Sequence, residues 1–111
     1  MRRAALLSIF LLAAPAAAQD SGLTGAQVLT RCQASDANET AWCVGFTFGI
    51  AMVIADPTID TKYRACFPQE FNSEAARLVV VRALETQPQL QSLSGAHAAW
   101  YALNKAFPCS S

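Results

Sequence analysis

The stretch Trp42-Cys43-Val44-Gly45-Phe46-Thr47-Phe48-Gly49-Ile50-Ala51-Met52-Val53-Ile54-Ala55 is apolar nearly all round and holds no charged side chain. Asp36 or Asn38, together with Glu39, offers an N-terminal cap ahead of it, and Asp56-Pro57 stops it, so the segment is predicted as a helix. A helix without a polar face belongs inside a bundle, and this one is expected to be the central buried element. A membrane reading is rejected, because the uninterrupted apolar run falls short of the roughly 18 residues a span requires. Ala41, Gly45 and Gly49 recur every four residues and place a stripe without side-chain bulk on one face. Glycine is costly inside a helix, so Gly45 and Gly49 are expected to serve close helix packing, in the core by preference or else between two copies.

Three more helices flank this one. Thr24 with Gln27 matches a capping box, and Leu23 with Val28 is placed as a hydrophobic staple, which starts a helix over about 25 to 34. Asn72 or Ser73 caps the next, with Glu74 in its first turn, where the helix dipole favours an acid. Ala76, Val79, Val80, Ala83 and Leu84 form its inner face, Arg77, Arg82 and Glu85 lie outside, and Pro88 follows its end. The valines at 79 to 81 also suit a strand, but their Glu, Ala, Arg and Leu neighbours favour helix and no partner strand is visible. The last helix follows the polar stretch Gln89 to Ser94, with Ala96, Trp100, Leu103 and Phe107 on its core face and Pro108 at its end. The expected fold is all-α, a small bundle of about four helices.

The N-terminus reads as a secretory leader: Met1-Arg2-Arg3 is the basic start, Ala4 to Leu12 a short apolar run, and Ala16-Ala17-Ala18 a small-residue cleavage site. An uncleaved anchor would need a longer apolar run. Residues 1–18 are therefore expected to be a cleaved signal peptide and residues 19–111 a single domain in the periplasm. That mature part holds six Lys and Arg against eight Asp and Glu. A mildly acidic chain of this kind argues against nucleic acid or an anionic membrane surface as partner.

Export puts the cysteines in an oxidising compartment, where an even number reads as staples. Four are present: Cys32, Cys43, Cys66 and Cys109. In an up-and-down bundle, the end of the first helix meets the start of the second and brings Cys32 near Cys43. Cys66, just ahead of the third helix, then meets Cys109, just after the fourth. Joining Cys43 to Cys66 would bridge most of the second helix, on the order of 20 Å. Of three possible connectivities, the expected one is Cys32 with Cys43 and Cys66 with Cys109. A metal reading lacks support, with no Cys-x-x-Cys pair and one histidine in the chain.

Taken in order, Cys43-Val44-Gly45-Phe46-Thr47-Phe48-Gly49, Cys66-Phe67-Pro68, Val79-Val80-Val81-Arg82-Ala83-Leu84 with Pro88, and Ala102-Leu103 to Phe107-Pro108-Cys109 resemble the type VI secretion amidase immunity (Rap/Tai) family. The resemblance covers about residues 28 to 109. It implies a periplasmic, all-helical, often homodimeric protein with no catalysis and no cofactor. Such a protein binds a peptidoglycan amidase delivered by type VI secretion and obstructs its active-site cleft.

Two rival functions differ in class. An enzyme built on His97 and a cysteine needs a free thiol, which four paired cysteines do not leave. Asp56, Asp60, Glu70 and Glu74 fall in loops and caps, where capping or solvation is their ordinary role. The other rival is a general periplasmic binding or chaperone-like helical protein without a toxin partner, which fold alone does not separate from an immunity protein. For a partner surface, the loop from Asp56 to Ala65 offers Asp60, Lys62, Tyr63 and Arg64, including residue types common at interface hot spots. The stretch Gln87 to Ser94, with Gln89 and Gln91, is the second candidate.

Overall fold

The computed structural model describes residues 22–110; the leader expected over 1–18 lies outside the described residues. Four α-helices form a bundle: α1 (Gly25–Gln33), α2 (Ala37–Ile54), α3 (Ser73–Thr86) and α4 (Gly95–Ala106). Two isolated bridges, Thr24 with Ser94 and Ala65 with Pro108, replace any sheet among the described residues. The helix starts follow their caps. Thr24 accepts from the Gln27 N–H while the Gln27 side chain accepts from the Thr24 N–H, a complete capping box. Asp36 accepts from the N–H groups of Asn38 and Glu39 at α2, and Asn72 from that of Ala75 at α3.

Both expected disulfides are present, Cys32 with Cys43 and Cys66 with Cys109. The first ties the end of α1 to α2. Beside it Arg31 bonds Glu39 at 2.5 Å, and its guanidinium lies 3.6 Å over the Trp42 ring. The second bond joins the approach to α3 with the tail after α4, where the Cys66 N–H also donates to the Phe107 carbonyl at 2.9 Å. Phe67, Phe71 and Phe107 pack around it, with ring centroids 4.0 to 5.2 Å apart.

The central helix departs from expectation. Only Cys43, Thr47, Ala51 and Ile54 of α2 are buried, a single face at spacings of four, four and three. Met52 and Val53 are 60% and 62% exposed, and a Cβ built on Gly45 or Gly49 meets nothing within 4 Å. The small-residue stripe therefore does not pack in this chain's core; it looks outward, because the other three helices all gather on the opposite side of α2. By length and composition α2 also qualifies as a membrane span, with 18 residues and a mean hydropathy of 1.3. Helical residues ahead of the apolar run, from Ala37 onward, supply that length. Its buried face and its disulfide nonetheless tie it into the bundle.

The glycines that do permit close approach are two others. A Cβ on Gly25 would collide with the Leu90 carbonyl, and one on Gly95 with the Val28 side chain. Reciprocal bonds lock this junction: Gly25 N–H to Leu93 carbonyl at 2.8 Å and Gly95 N–H to Leu23 carbonyl at 2.5 Å. The polar stretch before α4 is not a plain loop but a 3-10 turn, Pro88–Ser92, that buries Leu90. In α4 the core face is Ala98, Ala99, Ala102 and Leu103, whereas Ala96 is exposed and Trp100 and Phe107 are half-buried. Leu103 is buried as expected, whereas Ala96 is not and the rings of Trp100 and Phe107 pack at the rim of the core, since small alanines let the helices approach.

Gly45→Ala and Gly49→Ala are each expected to stabilise the monomer by up to about 1 kcal/mol, the helix-propensity difference at an open position. Gly25→Ala and Gly95→Ala are expected to lose about 1–3 kcal/mol through overpacking. Urea denaturation of the four variants at low protein concentration checks both signs.

Candidate functional site

The segment between α2 and α3 is held by its own side chains before anything else touches it. Asp56 accepts from the Thr58 N–H at 2.8 Å and from its hydroxyl at 2.7 Å, and Asp60 accepts from the Lys62 N–H at 3.0 Å. These are Asx-type turns, in which a short acid replaces a backbone partner. The Thr58 backbone bond first, and its hydroxyl second, hold the Asp56 carboxyl below the ordinary carboxylate range.

From the outside, α4 clamps the loop. Trp100 donates through Nε1 to the Tyr63 carbonyl at 2.8 Å. Asn104 donates through Nδ2 to the Arg64 carbonyl at 2.9 Å and to that of Lys62 at 3.3 Å. Three consecutive carbonyls of the tip are therefore satisfied by one helix. The tip's far end is fixed by the Ala65 N–H donating to the Ile54 carbonyl at 2.9 Å and by the disulfide at Cys66.

Of the residues picked from the sequence, Lys62 and Tyr63 are presented outward. The Lys62 ammonium lies 4.7 Å over the Tyr63 ring, which sits 6.2 Å from Trp100 and is 49% exposed. Arg64 is half-buried and donates to the Pro57 carbonyl at 3.0 Å, so its head closes the loop. Asp60 is exposed but occupied as a cap. In the second candidate stretch, Gln91 donates to the Leu84 carbonyl at 3.0 Å and ties the 3-10 turn to α3. Gln89 is exposed, and its carbonyl accepts from Ser92. The two stretches are thus a rigid tip and a structural turn. The clamps of the tip, Trp100 and Asn104, went unrecognised in the sequence, although an amide directly after the apolar Ala98 to Leu103 run of α4 was the available signal.

Every cysteine is in a disulfide, which removes the thiol that His97 would need as a nucleophile. His97 lies beside Trp100, ring centroids 5.5 Å apart, and its N–H donates to the Ser94 cap. Among the described residues no three His, Cys, Asp or Glu side chains gather as a metal site. Glu74 bonds Arg77 at the start of α3; that hydrogen bond, opposed by slight desolvation, keeps its carboxyl below the ordinary range.

A frame of four helices and two disulfides thus fixes an exposed tip among the described residues. The model of the Rap1a immunity proteins matches residues 24–109, from the α1 cap to the last cysteine. The chain belongs to the Rap1a immunity protein family. No curated protein and no solved structure gives a significant match. Family membership carries the role of an immunity protein directed at a secreted effector, a class that is typically without enzymatic activity.

Asn104→Ala is expected to cost about 1–2 kcal/mol, the loss of a bond to two otherwise unmet carbonyls. It should also raise amide exchange over residues 61 to 65 while α1 and α2 stay protected. The Thr58 amide resonance should titrate below the range of a free aspartate, because a depressed folded-state value keeps the turn intact until pH falls through it. NMR exchange and a pH titration check these two outcomes.

Proposed function

We propose that this protein is exported to the periplasm and there binds and inhibits a peptidoglycan amidase delivered by type VI secretion, by covering its active-site cleft. The observation that carries this reading is the family match over residues 24–109, which spans the whole disulfide-closed bundle. Two disulfides are in keeping with an oxidising compartment. The tip around Lys62 and Tyr63 supplies the obstructing element: it projects from a rigid frame, so little ordering entropy is lost on binding. Tyrosine offers a large contact area at the cost of few rotatable bonds.

A homodimer is part of this proposal, with the outward face of α2 as the contact between copies. From Thr40 to Ala55 the helix carries no charge, and Ala41, Gly45, Gly49, Met52 and Val53 are exposed. A two-fold contact sets that face against itself, and the absence of side chains at the glycines lets the two backbones approach. The exposed apolar face also suits the chaperone-like alternative, which differs in having no single preferred partner.

Export of a type VI secretion peptidoglycan amidase of the same organism should lyse cells that lack the protein and spare cells that carry it. Removal of residues 1–18 should abolish the protection. Tyr63→Ala with Lys62→Ala should weaken amidase binding at least about tenfold, as loss of a hot-spot side chain does, without lowering the melting temperature. Protection by the leaderless form would overturn the location, and failure to bind or inhibit the amidase would overturn the function. Light scattering of Met52→Glu at micromolar concentration checks the dimer, for which a monomer is the expected result.

A further inference from the structure

A second surface adjoins the tip. Between α3 and α4 lies a groove of about 410 Å³ with a small apolar floor of Val79, Ala83 and Ala102, and with Ala106, Thr86 and Gln87 also in its lining. On its rims stand Arg82 and Lys105, both exposed and neither in an ion pair among the described residues. No carboxylate lines it. The nearest acid along α3, Glu85, is engaged elsewhere and accepts from Gln33 of α1 at 3.2 Å. Part of the role of Lys105 is ordinary, because a cation in the last turn of a helix complements the dipole. Arg82 lies a turn further from its helix end, and that explanation reaches it less well.

The groove is continuous with the tip. Tyr63 packs on Trp100, Trp100 meets Tyr101 edge-on at 6.5 Å, and the Lys105 ammonium lies 5.6 Å from the Tyr101 ring centroid. Tyr101 in turn lines the groove. One strip of surface therefore runs from Lys62 to Arg82, aromatic along its length and basic at both ends.

We propose that this groove docks an acidic, amphipathic segment of the effector, with one small apolar side chain on the alanine and valine floor and carboxylates on Arg82 and Lys105. The inference rests on the effector-inhibitor reading above. Charge selects the occupant: the groove offers a guanidinium fork and an ammonium without a competing acid. A carboxylate pairs with the former in bidentate fashion and with the latter as a point charge. An uncharged helix such as the outer face of α2 would leave both cations without partners. The groove is open along one side, so it suits a segment carried on a larger body that is already held at the tip. Docking there would fix the orientation of the effector and leave the blocking itself to the tip.

The test uses a purified type VI secretion peptidoglycan amidase of the same organism, and compares wild type with Arg82→Glu/Lys105→Glu and with Arg82→Lys. Binding is measured at about 50 and about 200 mM salt, where screening of exposed charges differs. The double variant is expected to bind at least about tenfold more weakly at low salt, with a flatter salt dependence, and Arg82→Lys is expected to lie between. Thermal unfolding should leave all three within a few degrees of one another. Equal affinity and equal salt dependence in wild type and double variant would overturn the groove while leaving the effector reading intact. Absence of binding by the wild type would overturn both.

Discussion

The bond between Cys66 and Cys109 is the constraint on which the functional geometry depends. It closes a ring with a sequence separation of 43, against 11 for Cys32 with Cys43. By loop entropy the two are worth about 4 and about 3 kcal/mol. The larger consequence is positional. The bond fixes the end of the tip-bearing loop to the end of α4, so that Trp100 and Asn104 face the three carbonyls they bind. A bundle of the size described over residues 22–110 has a limited core, and here the staple and three side-chain bonds supply the rigidity that a larger core would give.

The same economy explains the outer face of α2. With three other α-helices among the described residues, the bundle covers one side of α2 and leaves the other bare. The apolar composition of that bare side is then a surface property, and Met52 and Val53 keep it free of charge. Glycine at 45 and 49 is not required by any neighbour inside the chain. Gly25 and Gly95 are, because the start of α1 and the start of α4 exchange backbone hydrogen bonds around the buried Leu90 turn.

Much of this was legible in the residues. Caps at Thr24, Asp36 and Asn72 are local chemistry and give the helix starts directly. The disulfide pairing followed from chain order in a four-helix bundle, since only one arrangement keeps each bond at a pole. Burial around α2 was not legible, because an all-apolar helix has no polar face to mark the solvent side. In α4 the large rings suggested the core, yet alanines fill it, since which side chains are inside depends on how closely neighbouring helices approach. The roles of Trp100 and Asn104 depend on carbonyls some 40 positions away, and nothing in the local sequence reports such a partner.

Function follows from the combination of family and frame. On the proposed reading the protein occupies its target, which calls for a shaped surface that does not collapse or spread. The clamped tip, with Tyr63 backed by Trp100, is the surface proposed for that contact. On the proposed reading, hydrogen exchange of the protein, free and bound to a type VI secretion amidase that it inhibits, reports the contact most directly. Protection on binding is expected over residues 58 to 64 and along the exposed side of α4 from Trp100 to Ala106. Protection confined to α1 and α2, or no change at the tip, would contradict it.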